Sequence, residues 1–238
     1  NHHDFPVSAL LKLDETGKFL QELKIENYDT SVLITHFAFL DSGQILITAE
    51  YNHWKQNARL CLMLADSNLN VTKKVWYGRD SLNFSVSDIL IQGNEIYLAG
   101  GYPQSGIFMK TNSRLDSLGG NYYRAGNSSA MNYKSILGSI SDSLITLLSS
   151  ENISNPKLTD GTWLLTFNRY SMELKDAHLA KPVSGLSPRA STVKFINDSL
   201  VLICGSGNNP TDPSYPSSLS NDVDVNVLLY DIRNHQTL

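Results

Sequence analysis

The side chains best suited to proton transfer or metal binding are the internal histidines His36, His53, His178 and His235. No two of them have the short spacing, roughly three to five residues, that sets two imidazoles on one ion. Neither a Gly-x-Ser-x-Gly elbow for an activated serine nor a Gly-x-x-x-x-Gly-Lys loop for a phosphate occurs. The sialidase-type box Ser-x-Asp-x-Gly-x-Thr-Trp is missing too, and Asp14-Glu15-Thr16-Gly17 and Asp41-Ser42-Gly43 read as turns. Asp222, Asp224 and Asn226 alternate and would share one face of a strand. They supply too few oxygens for Ca2+, which takes roughly six to eight, so a solvated strand edge is expected. The sequence predicts no catalytic residue, no metal and no cofactor. Carboxylate pairs for glycoside chemistry could be assembled between distant segments, but spacing does not reveal them.

What remains is contact chemistry. His53, Trp54, Tyr102 and Tyr215 fall in the segments 51–59, 101–106 and 205–224, between apolar runs. Tyr77, Tyr122 and Tyr123 end other such runs. Exposed Trp and Tyr rings stack on sugars and on apolar side chains, which makes them common anchors of interfaces. His53, Trp54, Tyr102 and Tyr215 are therefore the predicted ligand-binding residues. The competing role is to cap strand ends.

Two kinds of hairpin alternate along the chain and must position these segments. The first reads HFAFLDSGQILITAEY, SDILIQGNEIYLAGGY, KSILGSISDSLITLLS and TVKFINDSLVLICGSG. Its equivalent residues Ile45, Ile96, Leu144 and Leu200 lie 51, 48 and 56 residues apart. Its turns carry Ser42-Gly43, Gly93-Asn94, Asp142-Ser143 and Asn197-Asp198, types that tolerate tight turns. The second kind starts as ALLKLDETGKFLQELKI and recurs around Leu62, Phe108, Leu165 and Leu228. Its first strand is apolar nearly throughout, as in a strand covered on both faces, and its second alternates like a half-exposed one.

One hairpin of each kind makes a four-stranded antiparallel unit of strands A, B, C and D. Such a unit cannot cover both faces alone, so copies must pack face to face, and radial packing gives a β-propeller. A β-sandwich is the rival, and a repeat held over four periods argues against it. Long helices are not expected, and Ser171 to Ala180 is assigned to a D strand. The chain is read as a single all-β propeller domain with a half blade at 7–25 and blades at 31–77, 85–124, 132–179 and 190–238. The C–D hairpins outnumber the A–B hairpins, so these four and a half blades are expected to belong to a propeller of six to eight. B–C and D–A connections share one end of such blades, and that end carries the length variation.

The motif LLKLDETGKFLQE resembles repeats of secreted and surface propellers common in Bacteroidetes, and GNEIYLAGGY is similar to their Gly-x-x-apolar-apolar-apolar-Ala-Gly strands. The resemblance implies a propeller fold and an extracytoplasmic location, and no catalytic residue. A net charge of −4 and scattered Lys and Arg argue against a nucleic-acid partner. No apolar stretch approaches the roughly 20 residues of a membrane span. Cys61 and Cys204 sit in apolar runs and are expected as buried free thiols. The expected function is a non-catalytic extracytoplasmic binding or scaffold propeller that contacts a protein or glycan through its B–C/D–A end. The alternative is the propeller portion of an enzyme acting on polysaccharide or peptide.

Overall fold

In every repeat an Asp or Asn ends strand C or directly follows it, and its carboxylate or amide oxygen accepts backbone N–H groups from the turn. Asp14 Oδ1 accepts from Thr16 and Lys18, and Asp66 Oδ1 from Asn68 and Asn70, all at 2.8–2.9 Å. Asn112, Asn168 and Asp231 do the same for Arg114 and Asp116, for Tyr170 and Ser171, and for Arg233 and Asn234. These bonds replace the ladder bonds lost at the turn and reverse the chain with local chemistry alone. Each turn then places one residue at positive φ: Gly17 at 83°, Leu69 at 57°, Leu115 at 60°, Met172 at 62° and His235 at 52°.

The computed structural model describes residues 8–25, 31–52, 59–77, 85–102, 105–123, 130–141, 144–152, 162–180, 189–197, 199–207 and 224–238. Among them no helix occurs. Strands β1 (Ala9–Leu13) and β2 (Phe19–Lys24) form a two-stranded sheet. Blade 1 contains β3 (Ser31–Phe39), β4 (Ile45–Asn52), β5 (Arg59–Ala65) and β6 (Val71–Tyr77). Blade 2 contains β7 (Ser85–Gln92), β8 (Glu95–Tyr102), β9 (Ser105–Asn112) and β10 (Ser117–Tyr123). Blade 3 contains β11 (Ala130–Ser141), β12 (Leu144–Asn152), β13 (Thr162–Asn168) and β14 (Leu174–Ala180). Blade 4 contains β15 (Arg189–Phe195), β16 (Leu200–Gly207), β17 (Asp224–Asp231) and β18 (Gln236–Thr237). Every blade is a sequential antiparallel meander in the order A-B-C-D, and β14 is the D strand assigned to that stretch.

Strand β5 shows why the blades stack. Leu60, Leu62 and Leu64 point to blade 2, where they meet Val86, Ile96, Leu98, Ile107 and Leu115. Cys61, Met63 and Ala65 point the other way, toward Leu10, Leu23 and Ile25 of the two-stranded sheet. Both faces are apolar, so the strand is buried only between two neighbours. Blades 2 and 3 meet through Phe108 and Phe167, whose ring centroids lie 4.8 Å apart. Blades 3 and 4 meet through Leu164 and Ala180 against Val201, Ile203, Tyr230 and Ile232. Both cysteines are unpaired; Cys61 is buried, which pushes its thiol up to about 11 and makes it inert. Cys204 is only partly buried.

Where no described blade lies alongside, apolar side chains stay open. Leu11, Leu13 and Phe19 cover the face of β1–β2 turned away from blade 1 and are each more than half exposed. Phe37 and Phe39, on β3 opposite Ile47 and Ile45, are 54% and 70% exposed and pack edge to face.

Each A strand carries a β-bulge at the same height, between Ile34 and His36, Val86 and Asp88, Tyr133 and Ser135, and Ala190 and Thr192. In β3 the bulged backbone is satisfied by Thr48, whose buried hydroxyl accepts the His36 N–H at 3.0 Å and bonds the Thr35 hydroxyl at 2.7 Å. In β7 the bulge presses on Gly100, where a Cβ would run into the Ser85 carbonyl oxygen with Val86 Cα only 3.2 Å away. Gly100→Ala should therefore destabilise the protein by about 1–3 kcal/mol in urea unfolding, because the obstructing atoms are backbone. Gly43→Ala meets no atom within 4 Å and should show only the roughly 1 kcal/mol strain of its positive φ.

Candidate functional site

The B–C and D–A connections lie at one end of the blades, and the described residues nearest to them form an aromatic shelf on blade 1. Tyr51 is the last residue but one of β4, Arg59 opens β5 directly across from it, and Trp76 pairs with Cys61, two residues further along β5. Tyr51 meets the Trp76 ring at 4.5 Å between centroids, tilted by 63°. The Arg59 guanidinium lies 5.4 Å from the Trp76 centroid, within cation–π range. Tyr51 is buried, and that burial, with a smaller push from Cys61, raises its phenol to about 12, so it serves as a neutral wall. Trp76 is 43% exposed and offers the free part of its ring to solvent. Close by, burial pushes the Glu50 carboxyl up, with the Val86 N–H partly offsetting it.

This shelf roots the connection 53–58, which holds two of the predicted binding residues. His53, Trp54 and Tyr215 lie outside the described residues, as does Asp222. Tyr102 ends β8, and its side chain, like those of Tyr122, Tyr123, Asp224 and Asn226, is outside what is described. Tyr77 is turned away from the loops: its hydroxyl donates to the Leu115 carbonyl at 3.0 Å inside the junction with blade 2. Sequence reading passed over Trp76 in favour of Tyr77. The bulge opposite Leu64 and Ala65 resets the alternation along β6, so which neighbour faces out could not be counted from the turn.

At the other end of the blades the junctions are polar and regular. A donor on one blade reaches a carbonyl in the C–D turn of the next. Lys12 donates to Ser67 at 2.8 Å and Gln21 to Asn68. Lys73 donates to Arg114 at 2.5 Å, Lys110 to Arg169 at 3.2 Å and Asn121 to Met172 at 3.1 Å. Between blades 2 and 3 this becomes a charge cluster. Glu95 binds Lys110 Nζ at 2.5 Å, Arg169 at 2.9 Å and the Tyr97 hydroxyl at 2.5 Å, with Lys110 only 8% exposed at its side chain. Burial would raise the Glu95 carboxyl, but the bonds from Lys110, Tyr97 and Arg169 outweigh it and hold it at about 2. A carboxylate so fully committed to cations is a clamp between blades and a poor proton acceptor.

The histidines are not all apart. Asp176 and His178 on β14 meet His235 from the C–D turn of blade 4, their ligand atoms within 4.8 Å of one another. His178 Nε2 and Asp176 Oδ2 are 2.6 Å apart, and the His178 and His235 rings stack at 3.4 Å. No spacing along the chain suggests this, because the two histidines sit 57 residues apart in different repeats and only blade packing joins them.

No protein-family model matches the chain, and no curated protein matches its sequence. Solved structures do. The Pan2 WD40 domain of Neurospora crassa aligns with a TM-score of 0.55 at 11% identity, over 93% of this chain and 55% of its own. The Dos1 propeller aligns at 0.54 and 16% identity, over 97% and 53%. A chain of the Drosophila Plexin A complex with Semaphorin 1b aligns at 0.55 and 8% identity, over 96% and 49%. The fold is a β-propeller, and the chain spans about half the length of the structures it matches.

The Glu95 cluster makes a pH-dependent contribution. Its carboxyl falls from 4.5 to about 2 in the fold, so the stabilisation is fully present above about pH 4.5 and lost as pH drops toward 2. Glu95→Gln should cost on the order of 3 kcal/mol at pH 7 by urea unfolding, and the difference from wild type should shrink between pH 4.5 and 2.

Proposed function

We propose that the protein is a non-catalytic, extracytoplasmic binding or scaffold propeller, of the kind found among secreted and surface proteins of Bacteroidetes, whose ligand is a protein or glycan. The observation that carries this reading is the shelf of Tyr51, Arg59 and Trp76 at the loop end of blade 1, with Trp76 exposed to solvent. A rigid indole with a cation over part of it presents an apolar plane and a donor, which suits the face of a sugar or an apolar side chain. Chain economy supports the same end. The A–B and C–D turns are tight, whereas the B–C connections run from 103–104 through 53–58 and 153–161 to 208–223. Only 208–223 is longer than about 12 residues, a length uncommon in compact domains and often functional. The strongest ionic cluster lies at the opposite end and is spent on holding blades together. A similar propeller chain comes from a complex of Plexin A with Semaphorin 1b, consistent with a fold that hosts protein interfaces.

The test is a glycan array and a pull-down from extracellular medium, with wild type against Trp76→Ala, Trp54→Ala and Tyr215→Ala. Trp76→Ala should weaken the captured ligand at least tenfold, as expected for loss of an aromatic anchor, without lowering Tm by more than a few degrees. Equal binding by wild type and all three variants would sink the proposal.

A further inference from the structure

From the convergence of Asp176, His178 and His235, we propose that the junction between blades 3 and 4 is a binding site for a divalent transition metal ion of the zinc type. The site is visible because it breaks the pattern of the other junctions. In blades 1, 2 and 3 the positive-φ residue of the C–D turn is a buried apolar plug, Leu69, Leu115 or Met172, pressed against the preceding sheet. In blade 4 that position is His235, which is exposed, while Ile232 from the same turn takes up the burial.

The facing positions change with it. In register along the D strand, Gln21, Lys73 and Gly119 correspond to Asp176, and Leu23, Val75 and Asn121 correspond to His178. At the earlier junctions Gln21, Lys73 and Asn121 reach turn carbonyls of the next blade. At this one the strand presents a carboxylate and an imidazole to an imidazole instead. Two nitrogens and one oxygen are a normal three-ligand set for Zn2+, with a fourth position left for water.

The ligand atoms already lie within 4.8 Å of one another, against roughly 3.5 Å around a tetrahedral ion with bonds of about 2.1 Å. His178 is half-buried and the other two are exposed, so rotation about their side-chain torsions can close that gap. A second observation points the same way. The Tyr230 hydroxyl, on a residue only 1% exposed, has no hydrogen-bond partner among the described residues; burial pushes this phenol up, and Asp176 is near enough to add to the push. An ion with a bound water beside Asp176 would give that buried hydroxyl a partner. The metal would act as a clasp between blades, doing for this junction what lysine and turn carbonyls do for the others.

The test measures zinc binding by calorimetry and by thermal unfolding on the full chain, in a His2→Ala, His3→Ala background that removes the adjacent pair at the start. The junction variants copy the other blades: His235→Leu after Leu69 and Leu115, and His178→Val after Val75. We expect one equivalent of Zn2+ to bind, Tm to rise by roughly 4–8 °C at saturation, and Mg2+ to produce no shift. Both variants should fold, with Tm in chelator within a few degrees of the parent, and should lose at least tenfold in zinc affinity. Absence of stoichiometric zinc binding by the parent, undiminished affinity in both folded variants, or equal stabilisation by Mg2+ would overturn the proposal. Loss of loop-end ligand binding in the Trp76 experiment has no bearing on this outcome.

Discussion

A strand that is apolar on both faces has nowhere to go in an isolated sheet. Strand β5 carries leucines on one side and Cys61, Met63 and Ala65 on the other, and all of them are buried. At about 25 cal/mol per Å2 of apolar surface, leaving either face in water would outweigh any single polar contact in the blade. Lateral stacking of blades follows from that one strand and its counterparts. Everything else in the molecule, including which side chains can meet across a junction, is a result of how the stack is aligned.

Alignment is delegated to the C–D turn. The Asx oxygen builds the turn, the residue at positive φ aims a side chain at the neighbouring blade, and the turn carbonyls receive donors from it. A non-glycine residue at positive φ costs about 1–2 kcal/mol. Burial of Leu69, Leu115 and Met172 against the neighbour offsets that cost. His235 has no such burial, and this is what marks its junction as different.

Much of the architecture was legible in the residues. Asp14, Asp66, Asn112, Asn168 and Asp231 recur at the blade period and do their work within a few residues, so their meaning is local. The contrast between a continuous apolar C strand and an alternating D strand was equally local. The groups that could do chemistry were not. Glu95 and Arg169 are separated by 74 residues, and His178 and His235 belong to different repeats, so their meeting depends on blade packing that no spacing reports. Trp76 was missed for a smaller reason, a one-residue bulge that changes which side chain faces out.

The junction bonds also have a direction along the chain. In each bond to a turn carbonyl the donor comes first and its acceptor turn follows 41 to 59 residues later. On a ribosome adding about 5–20 residues per second, a finished sheet therefore waits roughly 2–12 s for the turn that covers it. During that interval its second apolar face is open, and so is the risk of pairing with the wrong neighbour. Nascent copies of this protein are most in need of a holding chaperone just after each D strand emerges, and the need recurs once per blade.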